Sequence, residues 1–346
     1  MNTHEFLSRR RLLQAAGAGL ATLAAPAVLA QKLTPIKFTL DFRITGQVAP
    51  FLMALAKGYY RDEGLDVSID VGAGSVASIT RVVSGAYQMG FGDISSLIEF
   101  QSRAGGAPQV QAVYQYYNRA PFAIIGRKDR GITTDFKSLQ GKHIAAAAVE
   151  STKRAWPMVA RKQGLKADAF EWVTTDFSAR DNVVVRGDVD GATYFHDSAL
   201  SLFQRMKPEE LSVLSFAAAG LNVYGNAVLV STQFIAEQPQ AVAGFVRATN
   251  RALLETFANP VAAMAFVKQR EPFLTEAVEV ERWKITGSYV AAPDTRVHGL
   301  GDVRKDFVQQ QIDEVADVFG LKTKPGAESL YNLSFLPPQA QRVVAA

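Results

Sequence analysis

The chain has 346 residues, 48% apolar and 20% charged, with no cysteine and a net charge of +4. That composition excludes a disordered chain and leaves room for two domains. The small positive excess is spread along the sequence, so no clustered basic face and no nucleic-acid partner is expected. Without cysteine, disulfides, thiolate nucleophiles, Cys-zinc sites and iron–sulfur clusters drop out.

The first thirty residues read as an address. Ser8-Arg9-Arg10-Arg11-Leu12-Leu13-Gln14 resembles a twin-arginine export motif. An Ala- and Gly-rich apolar stretch follows to Leu29, and Ala30 is a small residue suited to cleavage before Gln31. A membrane anchor is the competing reading, but the Ala, Gly and Pro content makes the stretch weakly hydrophobic. A lipid anchor would need a cysteine where Gln31 stands. Residues 1–30 are therefore expected to be a signal peptide. The mature chain is expected to be periplasmic and monomeric, with no later membrane span.

Ile36 to Asp41 alternates as a first strand, and Phe42 to Gln47 is a turn. Val48, Phe51, Leu52, Leu55 and Tyr59 fall on one face of an amphipathic helix. Leu65 to Val71 reads as a strand, Gly72 to Ser75 as a turn, and Val76 to Val83 as a helix. Met89 to Phe91 is a short buried strand, followed by the polar turn Gly92-Asp93 and a helix that Asp93, Ser95 or Ser96 can cap. Strands are predicted at Val110–Tyr116, Phe122–Ile125, His143–Val149, Phe170–Thr174 and Leu211–Phe216. Ser151-Thr152 can cap a helix carrying Ala155, Trp156 and Val159. Tyr224 to Val230 reads as the chain crossing back to its first half, and the remainder turns helical around Val242–Phe257 and Val308–Phe319.

One pattern occurs twice. Val82-Val83-Ser84-Gly85 and then Met89 to Ser96 return as Val184-Val185-Arg186-Gly187 and then Gly191 to Ser198. Each is helix end, strand, polar turn, helix. A polar turn at the carboxyl end of a strand is where open α/β sheets bind ligands. The echo predicts two similar α/β lobes, each offering such a turn to a shared cleft.

The residues also carry a family likeness. Leu40-Asp41-Phe42, Ala54 to Val67, Val83-Ser84-Gly85, Gly90 to Asp93, Arg119 to Phe122, Leu139 to Ile144, Gly187 to Gly191 and Tyr224-Gly225-Asn226 occur in an informative order. Together they resemble the periplasmic substrate-binding proteins of ABC importers, in the nitrate/sulfonate/taurine and thiamine-pyrimidine-precursor branch. The resemblance implies a periplasmic binding protein fold: two lobes, each a sheet flanked by helices, a ligand cleft between them and a two-crossing hinge. Lobe 1 would hold 31–118 and 225–346, and lobe 2 119–224. It implies a solute-binding component that captures a small planar or anionic organic molecule and delivers it to permease and ATPase subunits. Pyrimidines, sulfonates and aromatic carboxylates are the expected classes. Candidate ligand-binding residues are Asp41, Phe42, Gln47, Ser75, Asp93, Ser95, Tyr117, Ser151, Thr152, Tyr194, His196 and Asn226.

Two other functions compete. Gly72-Ala73-Gly74-Ser75-Val76-Ala77 fits a dinucleotide fingerprint, which would make the chain an exported NAD(P) oxidoreductase. A complete strand and helix precede it, which is the wrong place, and no cofactor is expected. A ligand sensor docking on a membrane receptor is the other alternative. The four histidines show no metal-binding spacing, so no metal is expected. Pyrimidine-synthesis enzymes sharing the fold rely on cysteine, and there is no nucleophile-elbow serine, so the chain is expected not to be an enzyme.

Overall fold

The computed structural model describes residues 32–105 and 107–344. The expected signal peptide at residues 1–30 lies outside them. Two five-stranded mixed sheets, each flanked by helices, make up the described chain. β1 (Thr34–Thr39), β2 (Leu65–Asp70), β3 (Met89–Asp93) and β4 (Val110–Gln115) belong to the first. β5 (Phe122–Arg127), β6 (His143–Ala146), β7 (Glu171–Thr174), β8 (Gly191–Phe195) and β9 (Leu211–Ser215) form the second. β10 (Asn226–Ser231) then returns to the first.

The sheet orders are β2-β1-β3-β10-β4 and β7-β6-β8-β5-β9. In each, the strand in the fourth position runs antiparallel to both neighbours and the other four share one direction. The echoed strands β3 and β8 hold the same central position. The fourth position is filled by a late strand in one sheet and an early strand in the other. The chain therefore crosses between the sheets twice, after β4 and after β9. The crossings bind each other: Gly225 N donates to Tyr117 O at 3.0 Å and Ala120 N to Val223 O at 2.9 Å.

Helices of seven residues or more are labelled in chain order: α1 Ala49–Ala56, α2 Ser75–Val83, α3 Ile94–Ala104, α4 Ser151–Lys162, α5 Arg180–Arg186, α6 Pro239–Ala258, α7 Pro260–Arg270, α8 Glu276–Val290 and α9 Lys305–Phe319. One core packs the first sheet against α1, α6, α7 and α8 through Phe38, Phe51, Phe245, Met264 and Trp283. A second runs from its other face into the second sheet through Ile79, Leu97, Ile124, Trp156 and Ile312. A third, smaller core lies behind β8 and includes Ala192, Val184 and Leu202. β3 is buried along its whole length, and a Cβ on Gly90 would come within 2.7 Å of Ser78 Oγ and 2.9 Å of Val82. Glycine there lets α2 lie directly on the strand.

Several expected boundaries move. The helix through Tyr59 stops at Ala56 because Gly58 takes φ 76° and turns the chain, which leaves Leu55 exposed. The strand expected to reach Val149 ends at Ala146, because Ala147 N donates to the Glu150 carboxylate instead of to a neighbouring strand. Glu150, not Ser151 or Thr152, is the cap position of α4.

Candidate functional site

A small, narrow cavity lies between the two sheets. Asp41, Phe42, Gln47, Gly74 and Ser75 line it from the first sheet, at the carboxyl ends of β1 and β2. The second-sheet wall includes Glu150, Ser151, Thr152, Phe177, Arg180, Phe195 and Ser198. The amino ends of α2 and α4 face it from opposite sides, so each wall presents N–H groups that have no partner within their own helix.

The floor is held by carboxylates. Asp41 is buried; its Oδ2 accepts from Asn226 Nδ2 at 2.6 Å and its Oδ1 has no partner. Burial pushes its pKa up to about 7, and Asp197 and Asp93 nearby add to the rise. Glu150 Oε2 accepts from Ala147 N at 3.1 Å and lies 3.8 Å from Arg180 Nη1, while Oε1 has no partner. Burial raises the Glu150 pKa and the Arg180 charge opposes the rise. The Arg180 guanidinium lies 3.9 Å above the Tyr194 ring, with Phe177 and Phe42 at 5.3 and 5.7 Å. Phe42 meets Phe177 edge to face across the cleft, with centroids 4.7 Å apart.

Buried polar atoms are normally hydrogen-bonded. Here Asp41 Oδ1, Gln47 Oε1, Ser75 Oγ, Glu150 Oε1 and Arg180 Nε all lack a protein partner. Each belongs to a residue that lines this one cavity. Acceptors and donors are thus set among aromatic rings, a surface suited to a flat molecule carrying both N–H groups and acceptor atoms.

Six expected site residues line the cavity: Asp41, Phe42, Gln47, Ser75, Ser151 and Thr152. The other six are not among its lining residues and each bonds to another protein group, though Asp93 Oδ2 and Asn226 Oδ1 have no partner. Asp93 Oδ1 caps α3 by accepting from Ser96 N at 2.9 Å. Ser95 Oγ accepts from Gln311 at 2.9 Å. Tyr117 OH donates to Asp197 Oδ2 at 2.7 Å, and Tyr194 OH to Asp181 at 2.8 Å. His196 Nδ1 lies 3.1 Å from Tyr289 OH, and Asn226 holds Asp41. Sequence reading did not select Glu150, Phe177, Arg180 or Ser198. Glu150 and Ser198 sit beside chosen residues, so a wider window would have found them. Phe177 and Arg180 come from the loop after β7 and the start of α5, where no periodicity points inward. The fingerprint glycines have local duties: a Cβ on Gly72 would lie 1.9 Å from Leu40 O, and one on Gly74 2.6 Å from Val149 O.

This fold and cleft define a periplasmic binding protein architecture. A family model described as "NMT1/THI5 like" matches residues 45–263, and the chain belongs to that family. It is 28% identical over 259 residues to the riboflavin-binding protein RibY of Chloroflexus aurantiacus, covering 74% of this chain and 72% of that protein. It is 25% identical over 251 residues to a 4-amino-5-hydroxymethyl-2-methylpyrimidine phosphate synthase of Aspergillus parasiticus, covering 69% and 71%. In fold it is similar to the nitrate-binding protein NrtA of Synechocystis PCC 6803, at TM-score 0.66, 14% identity and coverage of 90% and 87%. The alkanesulfonate-binding protein SsuA of Xanthomonas axonopodis pv. citri gives TM-score 0.65 and 14% identity, covering 87% and 99%. The synthase relatives overturn one expectation, that the chain is not an enzyme: relatives at 22–25% identity covering most of its length are named as synthases. Among the described residues no helix is long and apolar enough to cross a membrane.

Proposed function

We propose that the chain is the solute-binding component of an ABC importer, and that its solute is a small amino-substituted heteroaromatic molecule of the pyrimidine class. The observation that carries this reading is the set of buried, unpartnered polar atoms in the cavity. Asp41 and Glu150 call for N–H donors, Arg180 Nε for an acceptor, and Phe42, Phe177 and Phe195 for flat faces. A sulfonate or nitrate would meet two carboxylates and one arginine already facing Glu150, so these anions fit less well. In this reading the lobes divide near residues 118 and 225. Residues 1–30 direct export by the twin-arginine route, and the protein works as a periplasmic monomer beside a permease and an ATPase.

The test is a thermal-shift comparison of 4-amino-5-hydroxymethyl-2-methylpyrimidine, riboflavin and taurine on the purified mature chain. A ligand at 100 times its dissociation constant adds about 2.7 kcal/mol, which is a rise of several degrees at this size. The pyrimidine should give that rise and taurine none. A response to taurine alone, or to none of the three, overturns the ligand class. Mass spectrometry of the same mixtures checks each added compound for chemical change: a covalently altered product formed by turnover would replace delivery with catalysis.

A further inference from the structure

Glu279 and Arg282 lie one turn apart on α8 and are almost fully buried, at 2% and 1% exposure. Neither lines the cavity, yet they join its two walls. On the first-sheet side, Glu279 Oε2 accepts from Gly46 N at 2.6 Å, and the next residue, Gln47, is part of the wall. On the second-sheet side, Arg282 Nη1 donates to Asp197 O at 2.6 Å and Nη2 to Ser201 Oγ at 3.1 Å; Ser198, beside Asp197, lines the cavity. Arg282 Nε donates back to Glu279 at 2.9 Å and closes the chain of bonds. One turn on, Thr286 Oγ1 donates to Asp197 Oδ2 at 2.8 Å. α8 itself packs on the first sheet's helices through Trp283 and Val290.

These bonds contrast with those of the cavity. There several polar atoms lack partners; here neither Glu279 nor Arg282 has a buried atom left over. The α8 bonds run between protein groups and need no ligand atom, whereas the cavity's unpartnered atoms have no protein group to meet. We infer that Glu279 and Arg282 form a closure latch, a positioning pair that holds the two walls together before ligand arrives. Ligand then adds to a closed state that the latch has already favoured, and the pair sets affinity without touching the solute.

The latch is tested without any ligand, so its failure is separate from a failure of the proposed solute. The chain has no cysteine, so Ser68→Cys on β2 and Thr174→Cys on β7, both exposed, can carry a spin label on each sheet. Distances are read by double electron–electron resonance on the full mature chain. The otherwise unaltered protein should show one dominant short distance. Glu279→Met with Arg282→Met replaces the buried pair by apolar side chains, an exchange that is often neutral for folding. It should raise the ratio of open to closed populations about tenfold, the worth of one to two net hydrogen bonds. Ser201→Ala with Thr286→Val leaves the ion pair in place, removes two of the cross-sheet bonds and should shift the ratio in the same direction. A longer-distance population in the folded variants supports the latch. Distance distributions unchanged from the parent in every variant that folds overturn it.

Discussion

Asp41 shows how one buried group can couple stability to ligand. Its carboxyl titrates near 7 in the fold because burial disfavours the charge. In the unfolded chain it titrates near 3.8. Between those values the folded state holds the extra proton, so this group's contribution to stability falls as pH rises from about 4 to about 7. Asp41→Asn should flatten that slope, raising the melting temperature of the empty protein at pH 8 more than at pH 5. An identical pH profile in the variant would show that Asp41 is not held near 7. A ligand that donates an N–H to Oδ1 favours the ionised form, so affinity should climb over the same interval and the climb should shrink in Asp41→Asn. Asp93 gives the opposite kind of result. Its Oδ1 is committed to Ser96 N and Oγ, and it is not among the residues lining the cavity. Asp93→Asn should weaken a helix cap, lowering stability by about 1 kcal/mol while leaving pyrimidine affinity within twofold. Equal melting temperature with weaker binding would place Asp93 against the solute instead.

At the scale of elements, the turn before α2 packs close against the opposite wall of the cleft. Gly74 has φ 115° and its added Cβ would lie 2.6 Å from the Val149 carbonyl of the opposite wall. Gly74→Ala therefore strains the turn and wedges the cleft open together. Solution scattering should give a larger radius of gyration for the variant, with affinity lowered at least tenfold; parent-like values for both would mean the turn can move aside. Helix α8 was hard to find from the sequence for a related reason. Its inward face carries Glu279, Arg282 and Thr286 as well as Trp283 and Val290. Polar residues turned inward erase the apolar stripe on which periodicity depends. Surface pairs between the sheets, such as Lys162 with Glu314 at 2.8 Å, are partly exposed, and exposed ion pairs contribute roughly 0–1 kcal/mol each. The buried α8 bonds are the stronger link.

For the whole molecule, the two-crossing topology predicts movement about a hinge, because the crossing segments bond to each other and not to one sheet alone. Export belongs to this scale too. Arg9→Lys with Arg10→Lys should leave precursor in the cytoplasm when fractions are compared by immunoblot; undiminished periplasmic protein would remove the twin-arginine assignment. The double substitution should leave the melting temperature of the mature chain unchanged, since residues 1–30 would be absent from it.

The α/β alternation and the paired strand–turn–helix pattern were legible in the chain because both are local: apolar spacing and turn residues mark a strand end wherever it finally sits. The matching strand orders of the two sheets agree with the echo between Met89–Ser96 and Gly191–Ser198. The same logic reached Asp41, Phe42, Ser75, Ser151 and Thr152, which stand at strand ends and helix starts facing the cavity. It could not separate these from Asp93, Ser95 and Tyr194, which occupy similar local positions but bond to Ser96, Gln311 and Asp181 and are not among the residues lining the cavity. Which polar atom is left without a partner depends on groups hundreds of residues away, as Gly46 and Glu279 show at a separation of 233 positions. Arg180 likewise became a site residue only when Glu150, Tyr194 and Phe177 were brought around it. Spacing along the chain carries the periodicity of a helix or strand; the partners of a buried charge are decided by packing, which only the tertiary structure supplies.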